Sequence, residues 1–318
     1  MMSAITTVEL TGDQFIHEVI DGLSRPWKRL PPKYFYDAAG SRLFDRITEL
    51  DEYYLTRSEL AIMDRHAAEI TARCGPGTLL IEPGAGNLTK VRRLLNHLPD
   101  PVGYVPIDVS SECLRKAAWR LARDFPYLQI VPIVGDFSES LELPNIPAAR
   151  RVVYLPGSTI GNFEPDEADD LLAYFAQLVG TGGRLILGVD LRKDPSILER
   201  AYNDASGVTA AFNCNVLERI NRELGADFDV TAFRHLAFYN IERSRIEMHL
   251  VSVRAQEVHI ADCRFSFRIG ESIRTEHSYK YDVAELARRA LACGFRLEHA
   301  WTDDRSYFAV TCFVVGKD

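Results

Sequence analysis

The sequence predicts an α/β protein: a mostly parallel sheet covered by helices, carrying a second α+β domain. Three observations predict it. Short apolar runs alternate with helix-length stretches between about Ala61 and Asp190, the pattern of βαβ units. Two glycines directly follow the first of those runs, as they do where a parallel strand turns into a helix over a ligand. Between Asp190 and Tyr281 the alternation stops, and short strand-like segments follow one another instead.

Each element has a local reason. A helical stretch, Glu59–Arg73, ends at Cys74-Gly75-Pro76-Gly77, where glycine and proline stop the helix and turn the chain. Thr78–Glu82 is a short apolar strand, and Leu88–Leu98 reads as the helix after it. Val102–Asp108, Gln129–Val134, Arg151–Leu155 and Arg184–Asp190 read as further strands. Helices Ser111–Asp124 and Pro165–Leu178 separate them. Within the interruption, Asn215–Leu224 is helix-like, and Phe238–Asn240, Ile246–Arg254, Val258–Ile260 and Cys263–Phe267 read as antiparallel strands. A helix Val283–Cys293 ends at Gly294, and Arg296–Trp301 and Tyr307–Val315 form a hairpin closing the first sheet. The expected domains are 56–192 plus 282–318, and 1–55 plus 193–281.

Composition narrows the function. Hydrophobic residues make up 47% and charged residues 26% of 318, the balance of a globular chain. With 37 basic and 45 acidic residues the net charge is −8, which argues against nucleic acid as a partner. No apolar run reaches membrane-spanning length, so no membrane is expected either. Met1–Gly12 shows no basic segment followed by an apolar run, so no secretory signal is read there. The six cysteines are scattered and form no C-x-x-C pair. That pattern favours a reducing cytoplasm and disfavours zinc, and the eight histidines show no ligand spacing. No metal is expected.

The carboxyl ends of the predicted strands carry the chemistry. Glu82, Gly84 and Gly86 follow the first, and glycine there lets the backbone approach a ligand closely. A dinucleotide fingerprint needs a third glycine where Thr89 stands, and the lysine of a Walker loop is absent. Asp108 closes the second strand, where an acid can accept both hydroxyls of a ribose. Asp136 and Phe137 close the third, where a carboxylate can take an adenine amino group while a ring packs on the base. One such acid is more often a solvated loop residue or a helix cap. Three in register point to adenosine, and the missing glycine favours S-adenosylmethionine (SAM) over NAD. The loop Gly157–Asn162 follows the fourth strand; its simplest reading is a turn with Asn162 capping the next helix.

Several separated segments carry a resemblance: "PPKYFYDAAGSRLFDRIT" at 31–48, "EYYLTRSE" at 52–59, "PGSTIGNF" at 156–163, the stretch 201–229, "RIEMHL" at 245–250, and the pair Glu276 and Ser278. Over nearly its whole length the chain resembles the bacterial L-histidine Nα-methyltransferases of ergothioneine biosynthesis. Those enzymes use SAM to form hercynine, the Nα-trimethyl betaine of histidine. The resemblance implies a class I methyltransferase core with a Rossmann-like sheet, and a substrate domain built from the N-terminal segment and the central insertion. It implies that Asn162 and Tyr202 hold the amino-acid head group, chiefly the carboxylate. Tyr53 and the Gly161 backbone would lie near the amine. Tyr36, Phe44 and Met248 would help enclose the substrate, and Glu276 and Ser278 would bond the imidazole. Lys90 would join Glu82, Gly84, Gly86, Asp108, Asp136 and Phe137 around the cofactor. Two positions depart from the family form, Pro83 in the glycine loop and His277 between the imidazole contacts. Pro83 lacks an N–H to donate. On an alternating strand, His277 points away from its neighbours.

These residue types suit methyl transfer to an amine, with tyrosines, phenylalanines and an asparagine to position it. An α-amine titrates near about 8, so water suffices to take its proton and no strong base is required. Carboxylate and imidazole contacts persist while the amine loses its N–H donors, so the mono- and dimethyl intermediates stay bound. Aromatic walls attract the growing methylammonium. Two other readings remain at this stage: a methyltransferase of the same family acting on another amino acid or imidazole, and a fold that binds SAM without turnover.

Overall fold

The structure is a computed structural model in which residues 6–7, 12–139 and 142–316 are described. Of Met1–Gly12, all but Thr6, Thr7 and Gly12 lie outside them. The chain forms two compact units. Strand β1 (Thr6–Thr7) belongs to the first unit, and helices α1 (Gly12–Ser24) and α2 (Ala38–Glu49) to the second. The first unit resumes at Leu55 within α3 (Tyr54–Cys74) and runs to Arg192. It contains β2 (Thr78–Pro83), α4 (Val91–Leu95), β3 (Gly103–Asp108), α5 (Ser111–Asp124), β4 (Ile133–Val134), β5 (Arg150–Leu155), α6 (Pro165–Val179) and β6 (Arg184–Asp190). The second unit continues over Lys193–Tyr279 with α7 (Pro195–Tyr202), α8 (Val208–Leu224), β7 (Phe233–Asn240), β8 (Arg245–Ser252), β9 (Gln256–Ile260), β10 (Cys263–Phe267) and β11 (Ser272–Tyr279). From Lys280 the first unit closes with α9 (Val283–Ala292), β12 (Phe295–Thr302) and β13 (Phe308–Val315).

The first unit is a mixed α/β sheet in the order β1-β4-β3-β2-β5-β6-β13-β12. The six strands β1 to β6 run parallel, and the β12–β13 hairpin adds antiparallel to β6. All six residues of β2 are buried, as expected of a strand covered on both faces. The strand order reverses between β2 and β5, and at such a switch point the crevice outside the carboxyl ends takes ligands. The second unit holds a three-stranded antiparallel sheet β11-β8-β7 and the β9–β10 hairpin.

Several boundaries differ from the sequence reading. Strand β1 pairs with β4, so Thr6 and Thr7 add an edge to the core sheet rather than to the substrate domain. The helix expected over Leu88–Leu98 is confined to Val91–Leu95. Gly84, Gly86 and Leu88 all have left-handed φ, +66°, +56° and +60°, which a right-handed helix excludes. Leu88, Val91, Leu94, Leu95 and Leu98 are all buried, so their helical spacing reflects burial more than helix. Of Gln129–Val134 only Ile133 and Val134 form the ladder, with an isolated bridge at Ile130. Pro132 between them has no N–H to donate. Helix α8 begins at Val208 and β7 at Phe233, both earlier than expected. Strand β11 has no strand signature of its own, because its residues Ser-Ile-Arg-Thr-Glu-His-Ser-Tyr show no apolar alternation.

Candidate active site

In the first unit, the residues expected around a cofactor lie at the carboxyl ends of β4, β3 and β2. Asp108 Oδ2 accepts from the Gly86 amide at 2.8 Å and Oδ1 from Ser110 N at 2.8 Å. Each oxygen keeps a further lone pair for a ribose hydroxyl. Burial pushes the Asp108 carboxyl up, against the opposing pull of the Ser110 and Gly86 amides. Asp136 is turned back on Ser138, accepting from its N at 2.9 Å and its Oγ at 2.6 Å. The Phe137 ring meets Phe163 edge-on at 6.0 Å, and a β-carbon at Gly84 would stand 3.5 Å from it. A β-carbon at Gly86 would meet nothing within 4 Å, so open space lies over the loop.

Glu82 sits deeper. It is 1% exposed and accepts from the Tyr104 hydroxyl. Burial pushes its carboxyl up to about 8, Tyr104 and Lys90 pulling the other way. Lys90 donates to Glu59 Oε2 at 2.5 Å. Glu59, whose role sequence reasoning missed, also accepts from Gly157 N at 3.0 and 3.1 Å.

The loop after β5 is held from several sides. Ser158 takes φ +59°, and its Oγ accepts from Asp190 N at 2.9 Å. Gly161 N donates to Ser158 O, and the Tyr281 hydroxyl to Ile160 O. Asp190 pairs with Lys280 at 2.9 Å, both side chains fully buried. Helix α6 is capped by Glu164 in a capping box with Glu167. Asn162 is therefore not the helix cap that its position suggested, and its side chain is left for other work.

In the second unit, aromatic rings form a connected series. Tyr36 meets Phe44 at 5.7 Å, Phe44 meets Tyr53 at 6.3 Å, and Tyr53 meets Tyr202 at 6.2 Å. Tyr202 then donates to Ser278 Oγ at 3.1 Å. Phe212 adds a wall that sequence reasoning did not single out, 5.7 Å from Tyr36 and 5.9 Å from Phe44. The signal was its place in the segment 201–229, where a ring on a helix reads as core. Asp37 fastens this group: it caps α2 through Gly40 N and accepts from Asn215 Nδ2 at 2.9 Å and from Arg222 at 2.5 Å.

The sheet supplies the polar end. Glu276 pairs with Met248, and Ser278 with Ile246, so Glu276, Ser278 and Met248 share one face. His277 pairs with Glu247 on the other face, away from Glu276 and Ser278 as alternation requires. A bulge at Thr275 sets this register, and its hydroxyl donates to Asn213 Oδ1 at 2.6 Å and to Met248 O at 3.1 Å. His235 completes the scaffold: Nδ1 accepts from Asn213, and Nε2 donates to Tyr202 O at 2.8 Å. Burial holds the His235 imidazole below its ordinary range, which suits this neutral tautomer. Among the described residues no group of His, Cys, Asp and Glu gathers as a metal site, and no helix is long and apolar enough to cross a membrane.

The chain matches, over residues 15–315, the model of a histidine-specific, SAM-dependent methyltransferase family. It is 43% identical over 303 residues to the histidine N-alpha-methyltransferase of Mycolicibacterium smegmatis, covering 93% of this chain and 94% of that protein. It is 41% identical over 300 residues to the protein of the same name from Mycobacterium tuberculosis, covering 92% of each. It is 30% identical over 301 residues to ergothioneine biosynthesis protein 1 of Neurospora crassa, covering 88% of this chain and 32% of that protein.

Proposed function

The chain belongs to the family of histidine-specific, SAM-dependent methyltransferases, and on that premise we propose that it trimethylates the α-amino group of L-histidine to hercynine, the first step of ergothioneine biosynthesis. The observation that carries the substrate is the shared face of Glu276 and Ser278. A carboxylate accepts an imidazole N–H, and a hydroxyl serves either ring nitrogen. An indole offers one donor and no ring acceptor, so this pair suits histidine better than a tryptophan derivative.

The residues of the first unit fit the cofactor, since Asp108 keeps lone pairs for a ribose and the backbone at Gly86 is open. SAM, when bound, supplies a methyl group on a sulfonium cation. Asp108 would hold the ribose, Asp136 and Phe137 the adenine, and Glu82, Gly84, Gly86 and Lys90 the remainder. Asn162 and Tyr202 are assigned to the amino-acid head group, chiefly its carboxylate, and Tyr53 and the Gly161 backbone to its amine. Tyr36, Phe44 and Met248 enclose it. The catalytic work of Tyr36, Phe44 and Gly161 is positioning and exclusion of water. Each ring facing a methylammonium contributes about 0.5–2 kcal/mol, so binding survives the loss of N–H donors through the mono- and dimethyl intermediates. A proton leaves to water before each attack. Six free cysteines favour a reducing compartment, the cytoplasm in this reading. Mass spectrometry of a turnover mixture tests the assignment: histidine should gain three methyl groups, and gain by another amine with none on histidine sinks it.

A further inference from the structure

Glu59 is a fully buried carboxylate that the proposed chemistry does not use. It lies on α3, in the segment 52–59, and its side chain has no exposure. Two groups from different loops converge on it. Lys90, after the glycine loop of β2, donates at 2.5 Å, and Gly157 N, after β5, donates at 3.0 and 3.1 Å. The space has been kept clear for this carboxylate: a β-carbon at Gly188 on β6 would stand 2.2 Å from Glu59 Oε1. Close by, the Tyr154 hydroxyl is fully buried with no hydrogen-bond partner among the described residues. A buried hydroxyl left unpaired costs free energy, so a polar demand remains at this end of the strands.

The sheet order says which part of the ligand this place serves. Asp136 and Phe137 follow β4, Asp108 ends β3, the glycine loop follows β2, and Gly157 follows β5, with these strands side by side as β4-β3-β2-β5. Adenine over β4 and ribose over β3 direct the rest of the donor toward β2 and β5. That rest is an amino acid with a carboxylate and an ammonium. We propose that Glu59 is a positioning residue for the donor's amino-acid end, holding Lys90 Nζ and the Gly157 amide as one hydrogen-bonded unit at the carboxyl ends of β2 and β5. This rests on the reading of the first unit as the SAM site. Glu59 acts through Lys90: tethered, the ammonium waits at a fixed point for the carboxylate, and its rotamer freedom is given up before binding.

Two ligands separate this role from a merely structural one. S-adenosylhomocysteine carries the amino-acid end, whereas 5′-methylthioadenosine keeps the adenosine and thioether and lacks it. Calorimetry on the intact protein should show that Glu59→Gln weakens S-adenosylhomocysteine binding about tenfold, with 5′-methylthioadenosine affinity unchanged within about twofold. Glu59→Asp, which keeps the charge and shortens the reach, should show the same selective loss and stands in if the first variant does not fold. The double variant Glu59→Gln/Lys90→Gln should bind S-adenosylhomocysteine no more weakly than Lys90→Gln alone. Equal losses for both ligands, no loss for either, or additive losses in the double variant overturn the proposal. Wild-type protein that binds neither ligand overturns the SAM reading itself, a separate outcome visible before any variant is made.

Discussion

The Tyr202 hydroxyl donates to Ser278 Oγ across 3.1 Å, joining the last residue of α7 to β11. In the proposed reading one residue serves the carboxylate of the substrate and the other its ring; a tyrosine hydroxyl has one proton to give, so on binding Tyr202 turns it from Ser278 Oγ to the carboxylate and leaves Ser278 to the ring. Tyr202→Phe removes the donor and should raise KM for histidine about three- to tenfold, with kcat changed less. Ser278→Ala combined with it should cost less than the sum of the two single changes. Additive effects in steady-state kinetics would show that the pair does not act as a unit.

Glu276→Ala should lower kcat/KM for histidine by about tenfold or more, because an imidazole N–H loses a charge-assisted partner. Larger aromatic amino acids should gain relative to histidine, having been excluded partly by the carboxylate. The measurement compares kcat/KM for histidine and tryptophan in wild type and variant, and a constant ratio removes Glu276 from ring recognition.

Asp108→Ala should weaken S-adenosylhomocysteine binding roughly ten- to a hundredfold, the range of a lost charged hydrogen bond. Gly86 N and Ser110 N also lose their acceptor, so thermal melting should accompany the titration. A folded variant with wild-type affinity would move the ribose elsewhere.

Glu82 predicts a pH dependence of stability. Its carboxyl titrates near 4.5 in the open chain and is pushed up to about 8 by burial. Between those values the folded state keeps a proton that the unfolded state releases, so stability from this group is full below about 4.5 and lost as pH rises through about 8. Glu82→Gln cannot ionise. Its stability relative to wild type should therefore rise across that window and level off above it. Denaturant titrations below, within and above the window check this; a flat difference would mean that the carboxyl is not held neutral.

The parts of the fold legible in the sequence are those whose burial is simple. Strands such as Thr78–Pro83 and Arg184–Asp190 are covered on both faces and read as apolar runs. The acids Asp108 and Asp136 could be read because they end or follow such runs. Leu88 misled because a buried left-handed leucine has the same spacing as a helical one. Strand β11 went unread because the extra residue at Thr275 breaks the period of two and its side chains are polar. Glu59 went unremarked and Phe212 reads as core packing for another reason. Each sits on a helix with core-like spacing, and their partners Gly157 and Tyr36 lie far off in sequence. The substrate residues came from family resemblance, and no periodicity would have found them.

The bulge at Thr275 has an electrostatic consequence. Arg274 pairs with His249, and Glu276 with Met248, the neighbour of His249 on β8. Residues two apart on a regular strand share a face, so if Thr275 paired in register with Met248 the Arg274 side chain would flank the Glu276 carboxylate. That regular register would also bring Glu276 opposite Glu247, where like charges repel. One inserted residue turns the cation to the far side of the sheet. The bulge is thus insulation: it sets the Arg274 cation and the Glu276 carboxylate on opposite faces of the sheet.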